Sequence, residues 1–234
     1  MTQNFQDYLF DDKLIFVDKP SGKSSFAVVA QVRRVLSQAV GHKVKVGHTG
    51  TLDPFATGLL ILLAGKNTKR AADFLGLKKT YLATLKLGFT SSTDDPEGEI
   101  KPYQSLNTPE KSSQLVEALS LDQVEGILKQ FTGKLMQRPP AFSALHVHGQ
   151  RAYKLARLGK PPVLPPRPVT IFTLELVSFA PPFLTLNCTV SSGTYIRSLA
   201  RDLGEALGCG AFLTALRRTA VGGYQLDQVP LFTL

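Results

Sequence analysis

The sequence predicts an α+β fold built on a mixed, mostly antiparallel sheet flanked by helices. Three observations predict it. Strand-like and helix-like segments follow one another without a regular βαβ period. No internal repeat or low-complexity tract interrupts them. The 234 residues, 43% of them hydrophobic, suffice to bury a sizeable core.

In "LIFVDKPSGKSS", Leu14 to Asp18 reads as a strand, and the Pro-Ser-Gly turn after it delivers Ser24 and Ser25 as helix caps. Val28, Val32 and Leu36 then repeat at helical spacing, with Arg33 and Arg34 on another face. "GHTGTLDP", Gly47 to Pro54, is expected to be neither helix nor strand: two glycines, two threonines, a histidine and one carboxylate share a stiff turn. The apolar run from Gly58 to Ala64 fits a buried strand or a short core element. "KKTYLATLKLG" reads as a strand with Tyr81, Ala83, Leu85 and Leu87 on one face. Thr90 to Glu99 is a polar, turn-rich connection. Ser120 and Gln123 form a capping-box pattern, and Leu121, Val124, Leu128 and Phe131 predict a helix closed by Gly133. From Gln137 to Arg167 prolines, aromatics and basic groups predict an inserted loop with a short helix near Ala152 to Leu158. Thr170 to Phe179 and Phe183 to Val190 alternate like paired strands across "APP", and "SSGTYIRSLARDLG" supplies a glycine turn and a helix.

Charge narrows the partners. Lys and Arg number 27 against 18 acidic residues, a formal charge of +9, which favours a polyanion over a neutral metabolite. Cys188 and Cys209 lack metal-like spacing and fit buried thiols in a reducing compartment. "LLILLA" at Leu59 to Ala64 falls far short of the ~20 residues that span a bilayer. "MTQNFQDYLFDDK" is polar and mixed in charge, so no signal peptide and a cytoplasmic location are expected, without membrane association.

Several chemistries fail on spacing. A Walker A loop needs a glycine where Leu60 stands relative to Gly65-Lys66, and Asn67 replaces its hydroxyl residue. His42, His48, His146 and His148 form no zinc set with the cysteines. A phospho-aspartyl nucleophile precedes its Thr-Gly-Thr, whereas Asp53 follows one. Asp53 is left working without a metal.

"GHTGTLDPFATGLLILLAGKNTK" closely resembles the signature of bacterial TruB-type tRNA pseudouridine synthases. The resemblance continues through "LIFVDKPSGKSS", "KKTYLATLKLG", "RPPAFSALHVHGQRAYKLAR" and "SSGTYIRSLARDLGEALGCGAFLTALRRT", covering nearly all of Leu14 to Thr219 in order. It implies the pseudouridine synthase fold and a cofactor-free isomerisation of uridine at position 55 of the tRNA T-loop. By that similarity Asp53 is the catalytic carboxylate, as nucleophile or as base towards the sugar. Arg197 keeps it ionised, and Tyr81 stacks on the target base. Tyr195 and Leu216 line the uracil pocket, and His48 fills the place of the extruded base. Lys19, Lys78, Lys79, Arg151, Lys154, Arg157, Arg217 and Arg218 are phosphate-contact candidates. The insertion at about 137–167 resembles the family's RNA-clamping thumb. His146 and Ser92 depart from the usual lysine and acidic residue at their positions. One catalytic domain over 1–234 is expected, without the RNA-binding PUA domain, acting as a monomer on the T-stem and loop without an obligate protein partner. The rivals are a non-catalytic tRNA-folding chaperone and a guide-RNA-dependent synthase.

Overall fold

The structure, a computed structural model, describes residues 13–103, 108–147 and 149–234; His148 and the amino-terminal stretch before Lys13 lie outside them. In chain order the elements are β1 (Ile15–Lys19), α1 (Ser25–Val40), β2 (Val46–His48), β3 (Thr57–Ala64), a 3-10 turn (Gly65–Arg70), α2 (Ala71–Leu75), β4 (Lys79–Leu87), β5 (Phe89–Ser91), β6 (Ile100–Pro102), α3 (Pro109–Glu117), α4 (Leu121–Gln130), β7 (Gly133–Gln137), β8 (His146–Val147), β9 (Gln150–Arg151), α5 (Ala152–Arg157), β10 (Arg167–Ala180), β11 (Phe183–Val190), α6 (Ile196–Ala206), β12 (Ala211–Val221) and β13 (Tyr224–Gln225). They form a mixed α+β fold. β1 and β2 pair antiparallel with β3, β13 with β12, and β10 with β11 and β7, whereas β12 pairs parallel with β3.

The chain divides into two units, one reaching to Tyr81 and resuming at Leu216–Leu234, the other comprising Leu82–Ala215. β4 and β12 contribute residues to both. In the first unit the strand order is β1-β3-β12, with β2 also on β3 and β13 on β12. The apolar run is β3, covered on both faces, which is why it shows no polar alternation. Leu60, Leu62 and Ala64 pack with Val28, Val29, Val32 and Leu36 of α1. Leu59, Ile61 and Leu63 face the other way, towards Phe16, Phe74 and Val221. Ser24 caps α1 by accepting from the Ala27 amide at 3.1 Å. Ser25, expected as a second cap, is the first helical residue and turns its hydroxyl elsewhere. "GHTGTLDP" is not wholly irregular, because Gly47 and His48 belong to β2 and pair with Leu63 and Leu62.

The second unit has the order β4-β11-β10-β7. Tyr81, Ala83, Leu85 and Leu87 are all buried on one face of β4, as the alternation predicts. β10 and β11 pair across "APP", and Leu184, Leu186, Cys188 and Val190 point inwards. The Ser120–Gln123 capping box forms at the start of α4. That helix stops at Gln130 with Phe131 as its cap, and Gly133, at φ +106°, opens β7 instead of closing the helix. Seven residues of α6 are buried, and a Cβ added at Gly204 would stand 2.1 Å from the Ala211 amide nitrogen. Both cysteines are buried and neither forms a disulfide. Among the described residues no helix is long and apolar enough to cross a membrane.

Gly58 fixes the β3–β12 contact. Its φ is +101°, and an added Cβ would lie 2.3 Å from the Arg218 carbonyl oxygen. Gly58→Ala is expected to lower stability by more than about 2 kcal/mol, since the backbone conformation alone costs 1–3 kcal/mol. Urea unfolding of the variant checks this.

Candidate active site

In the first unit the β1–α1 turn grips the loop that carries Asp53. The buried Ser25 hydroxyl accepts from the Leu52 amide and donates to the Leu52 carbonyl, both at 2.8 Å. The Pro54 carbonyl accepts from the Gly22 amide at 2.9 Å and from Lys19 Nζ at 3.0 Å. Ser21 Oγ donates to the Phe55 carbonyl at 3.0 Å, and the Ala56 amide to the Asp53 carbonyl at 3.2 Å. Four successive carbonyls are therefore held while Asp53 as a residue stays half-buried. "DKPSGKSS" and "GHTGTLDP", read separately in the sequence, are one structure. Spacing alone could not show this, because the bonds join residues 27 to 35 positions apart.

The loop's other end is fixed as well. Thr49 donates through its amide and its hydroxyl to the Ile61 carbonyl, at 3.1 and 3.2 Å. Arg218, 2% exposed, donates from Nε to the Leu59 carbonyl at 2.7 Å and from a terminal nitrogen to the Gly50 carbonyl at 3.2 Å. His48 Nδ1 accepts from the Gly50 amide at 3.3 Å, which leaves the ring proton on Nε2. Burial, and secondarily the Arg218 charge, push the His48 pKa below its usual value and favour the neutral ring. Tyr81 is buried on β4, and the Leu216 carbonyl on β12 accepts from Thr57 Oγ1 at 3.4 Å.

In the second unit Tyr195 precedes α6 and is held by Gln137. The Gln137 side chain accepts from the Tyr195 amide at 2.8 Å and donates to its carbonyl at 3.1 Å. The Arg167 guanidinium lies 5.0 Å from the centre of the Tyr195 ring. Arg197, 4% exposed, forms a buried ion pair with Asp95 at 3.2 Å and donates to the Thr93 and Phe142 carbonyls at 3.1 and 2.9 Å. Asp95 in turn accepts from Thr93 Oγ1 at 2.5 Å and the Glu97 amide at 3.0 Å. The sequence reading missed Asp95; its only signal was an acidic pair among Ser and Thr in a turn. Its neighbour Asp94 adopts φ +60° and pairs with Arg201 at 3.0 Å. Burial outweighs the pull of Arg201 and Arg197 and raises the Asp94 pKa to about 6.

The basic candidates separate by burial. Lys19 is fully buried and donates to the Pro20, Lys23 and Pro54 carbonyls, so it is a clamp and not a surface phosphate contact. Lys79, 7% exposed, donates to the Phe74, Leu75 and Leu77 carbonyls at the end of α2. Its pKa falls to about 8 through burial and the nearby Arg218 charge. Arg218 is likewise committed to backbone carbonyls. Lys78, Arg151, Lys154 and Arg157 are exposed, and Arg217 is half exposed in a two-pronged pair with Asp18 at 2.7 and 3.1 Å. His146 and Ser92 are exposed too.

Ser25→Ala is expected to cost about 1–3 kcal/mol by leaving the buried Leu52 amide and carbonyl unsatisfied. Amide hydrogen exchange at Leu52 and its neighbours should accelerate first. Asp94 gives a pH signature. Its folded pKa lies above the unfolded value of 3.8, so the folded chain binds more protons between those values. The group's contribution is present below about pH 4 and is lost as pH rises through about 6. Asp94→Asn should flatten that part of the stability profile in urea titrations from pH 4 to 7.

Comparison with known proteins follows the same lines. The family model described as the TruB family pseudouridylate synthase N-terminal domain matches residues 33–196, and that of the tRNA pseudouridylate synthase B C-terminal domain matches 197–234. A tRNA pseudouridine synthase B of Corynebacterium diphtheriae is 45% identical over 225 residues, covering 94% of this chain and 71% of the relative. The protein of that name from Dechloromonas aromatica is 45% identical over 215 residues, covering 92% and 67%. That of Phocaeicola vulgatus is 42% identical over 218 residues, covering 93% and 88%. Among solved structures, a chain of a Cbf5-Nop10-Gar1 complex superposes with a TM-score of 0.65 at 27% identity, covering 92% of this chain and 50% of its own. A chain of an H/ACA RNP bound to a substrate RNA gives 0.63 at 25%, covering 92% and 49%. The chain thus spans about half the length of these two structural neighbours. On the family match and the identity to these relatives, the chain belongs to the TruB family of pseudouridylate synthases.

Proposed function

We propose that the protein converts uridine to pseudouridine at position 55 in the T-loop of tRNA, with Asp53 as the reacting carboxylate. The name shared by the relatives at 42–45% identity supports tRNA as substrate. One observation carries the assignment of Asp53: the four consecutive carbonyls from Leu52 to Phe55 are fixed, yet Asp53 itself is only half-buried. A carboxylate so placed needs no reorganisation when charge develops on the sugar.

The reaction balances within the substrate. The bond from ribose C1′ to uracil N1 breaks, the base turns, and a bond from C1′ to C5 forms; the C5 proton leaves and N1 gains one. Asp53 must be ionised, whether it attacks the sugar or takes a proton from it. Tyr81 offers its ring to the base, and the neutral His48 is suited to fill the apolar gap left in the RNA stack. Arg197 carries the positive charge that the resemblance assigns to the reaction, and Asp95 fixes that guanidinium. The resemblance assigns Tyr195 and Leu216 to contacts with the uracil. Lys78, Arg151, Lys154 and Arg157 remain candidates for phosphates. Action in the cytoplasm, as a monomer without an obligate protein partner, completes the reading.

The experiment uses the protein alone with an unmodified tRNA transcript, followed by pseudouridine mapping. Product at position 55 without guide RNA or protein partners is expected, which sets aside both the guide-dependent and the chaperone alternatives. Asp53→Asn should lower single-turnover isomerisation by at least 10³-fold while tRNA affinity stays within a few-fold. Turnover near the parent rate in that variant would show that another group does the chemistry.

A further inference from the structure

Between Asp18 and Asp53 the chain holds no acidic residue, although it carries 18 in all, and it holds six cations: Lys19, Lys23, Arg33, Arg34, Lys43 and Lys45. Lys19 is the internal clamp; the other five reach the surface. α1 explains how they are displayed. Ser25, Val28, Val29, Val32 and Leu36 form its buried stripe. Two outward stripes remain at helical spacing. Ala27, Gln31 and Arg34 make one, extended by Lys23 from just before the helix, and Phe26, Ala30, Arg33 and Ser37 the other.

The alanines, having no bulk, leave an open groove of about 550 Å³ lined also by Lys23, Arg33, Arg34 and Lys43. Lys23 is steadied by Gln31 at 3.0 Å. Among the described residues no carboxylate pairs with Arg33, Arg34 or Lys43. Uncompensated cations drawn together repel one another, so an anion seated in the groove would be stabilised by all of them. Its position selects the anion. Ser25 ties the first turn of α1 to Leu52, so the groove begins beside the Asp53 loop and leads away from it for about 18 Å along the helix. Phe26, 67% exposed, stands at the loop end as a stacking surface.

We propose that this groove binds the sugar-phosphate backbone of the substrate RNA next to the nucleotide presented to Asp53, with Phe26 stacking on a neighbouring base. The proposal rests on the RNA-modifying reading above. A lipid surface would call for a broad apolar face, whereas the groove floor is two alanines.

The test compares the full chain with Arg33→Glu/Arg34→Glu and with a matched charge reversal in the second unit, Lys129→Glu/Lys134→Glu, both of whose positions are exposed. Binding of unmodified tRNA transcript is measured from 50 to 300 mM salt. The groove variant should bind at least tenfold more weakly, and its log-log salt slope should fall by about 1.5–2, near one unit per lost phosphate contact. The control should stay within twofold. Phe26→Ala should weaken binding several-fold without changing the slope. A groove variant with the parent's circular dichroism and melting that keeps the parent's affinity and slope would overturn the proposal. An equal loss in the control would also overturn it, as would preferential capture by anionic vesicles. A parent that neither binds nor isomerises the transcript would instead sink the RNA-modifying reading itself.

Discussion

One short turn governs the candidate site. Lys19 and Ser25, at the two ends of the β1–α1 connection, reach across to the backbone on either side of Asp53, at Pro54 and Leu52. A loop with a glycine at Gly50 and a proline at Pro54 has few conformations open to it, yet those residues alone do not choose among them. The choice is made by a hydroxyl that donates and accepts at one peptide and by an ammonium that donates to three carbonyls. Strength here comes from burial: with water excluded, a lost partner leaves a polar group unsatisfied, which costs more than the bond contributed.

The same logic divides the positive charge. Lys19, Lys79 and Arg218 spend their donors on main-chain carbonyls in the interior and serve as internal scaffolding. Desolvating them is tolerable because carbonyl oxygens replace water around each ammonium or guanidinium. The cations of α1 and the 137–167 insertion stay at the surface, where a polyanion can meet them. A formal charge of +9 is therefore no measure of the charge presented to a ligand.

Much of the architecture was legible from periodicity. The alternation of β4, the hydroxyl cap of α1, the capping box of α4 and the β10–β11 pair all follow local rules. The Asp53 loop was legible from its motif. What escaped was decided at long range. Ser24 and Ser25 are the same residue type, and only the fold assigns one to the helix end and the other to Leu52, 27 positions on. β12 was not read as a strand because Arg217 and Arg218 interrupt its apolar pattern; one turns out to Asp18, the other in to the Leu59 and Gly50 carbonyls. Asp95 could not be chosen over Asp94 without knowing which of them faces Arg197 and which Arg201.

Arg218 lies 159 residues beyond Leu59, whose carbonyl it holds. The second unit, Leu82–Ala215, is contiguous in sequence, while the first is completed only by Leu216–Leu234. During synthesis the two units are therefore not equivalent. The contiguous one has all its parts as soon as it leaves the ribosome. The Asp53 loop waits, at 5–20 residues per second, for a strand made about ten to thirty seconds later. A nascent chain stalled before Arg218 emerges would hold the Asp53 carboxylate on a loop that lacks its Arg218 anchor, so the order of translation itself withholds the finished loop until β12 has been made.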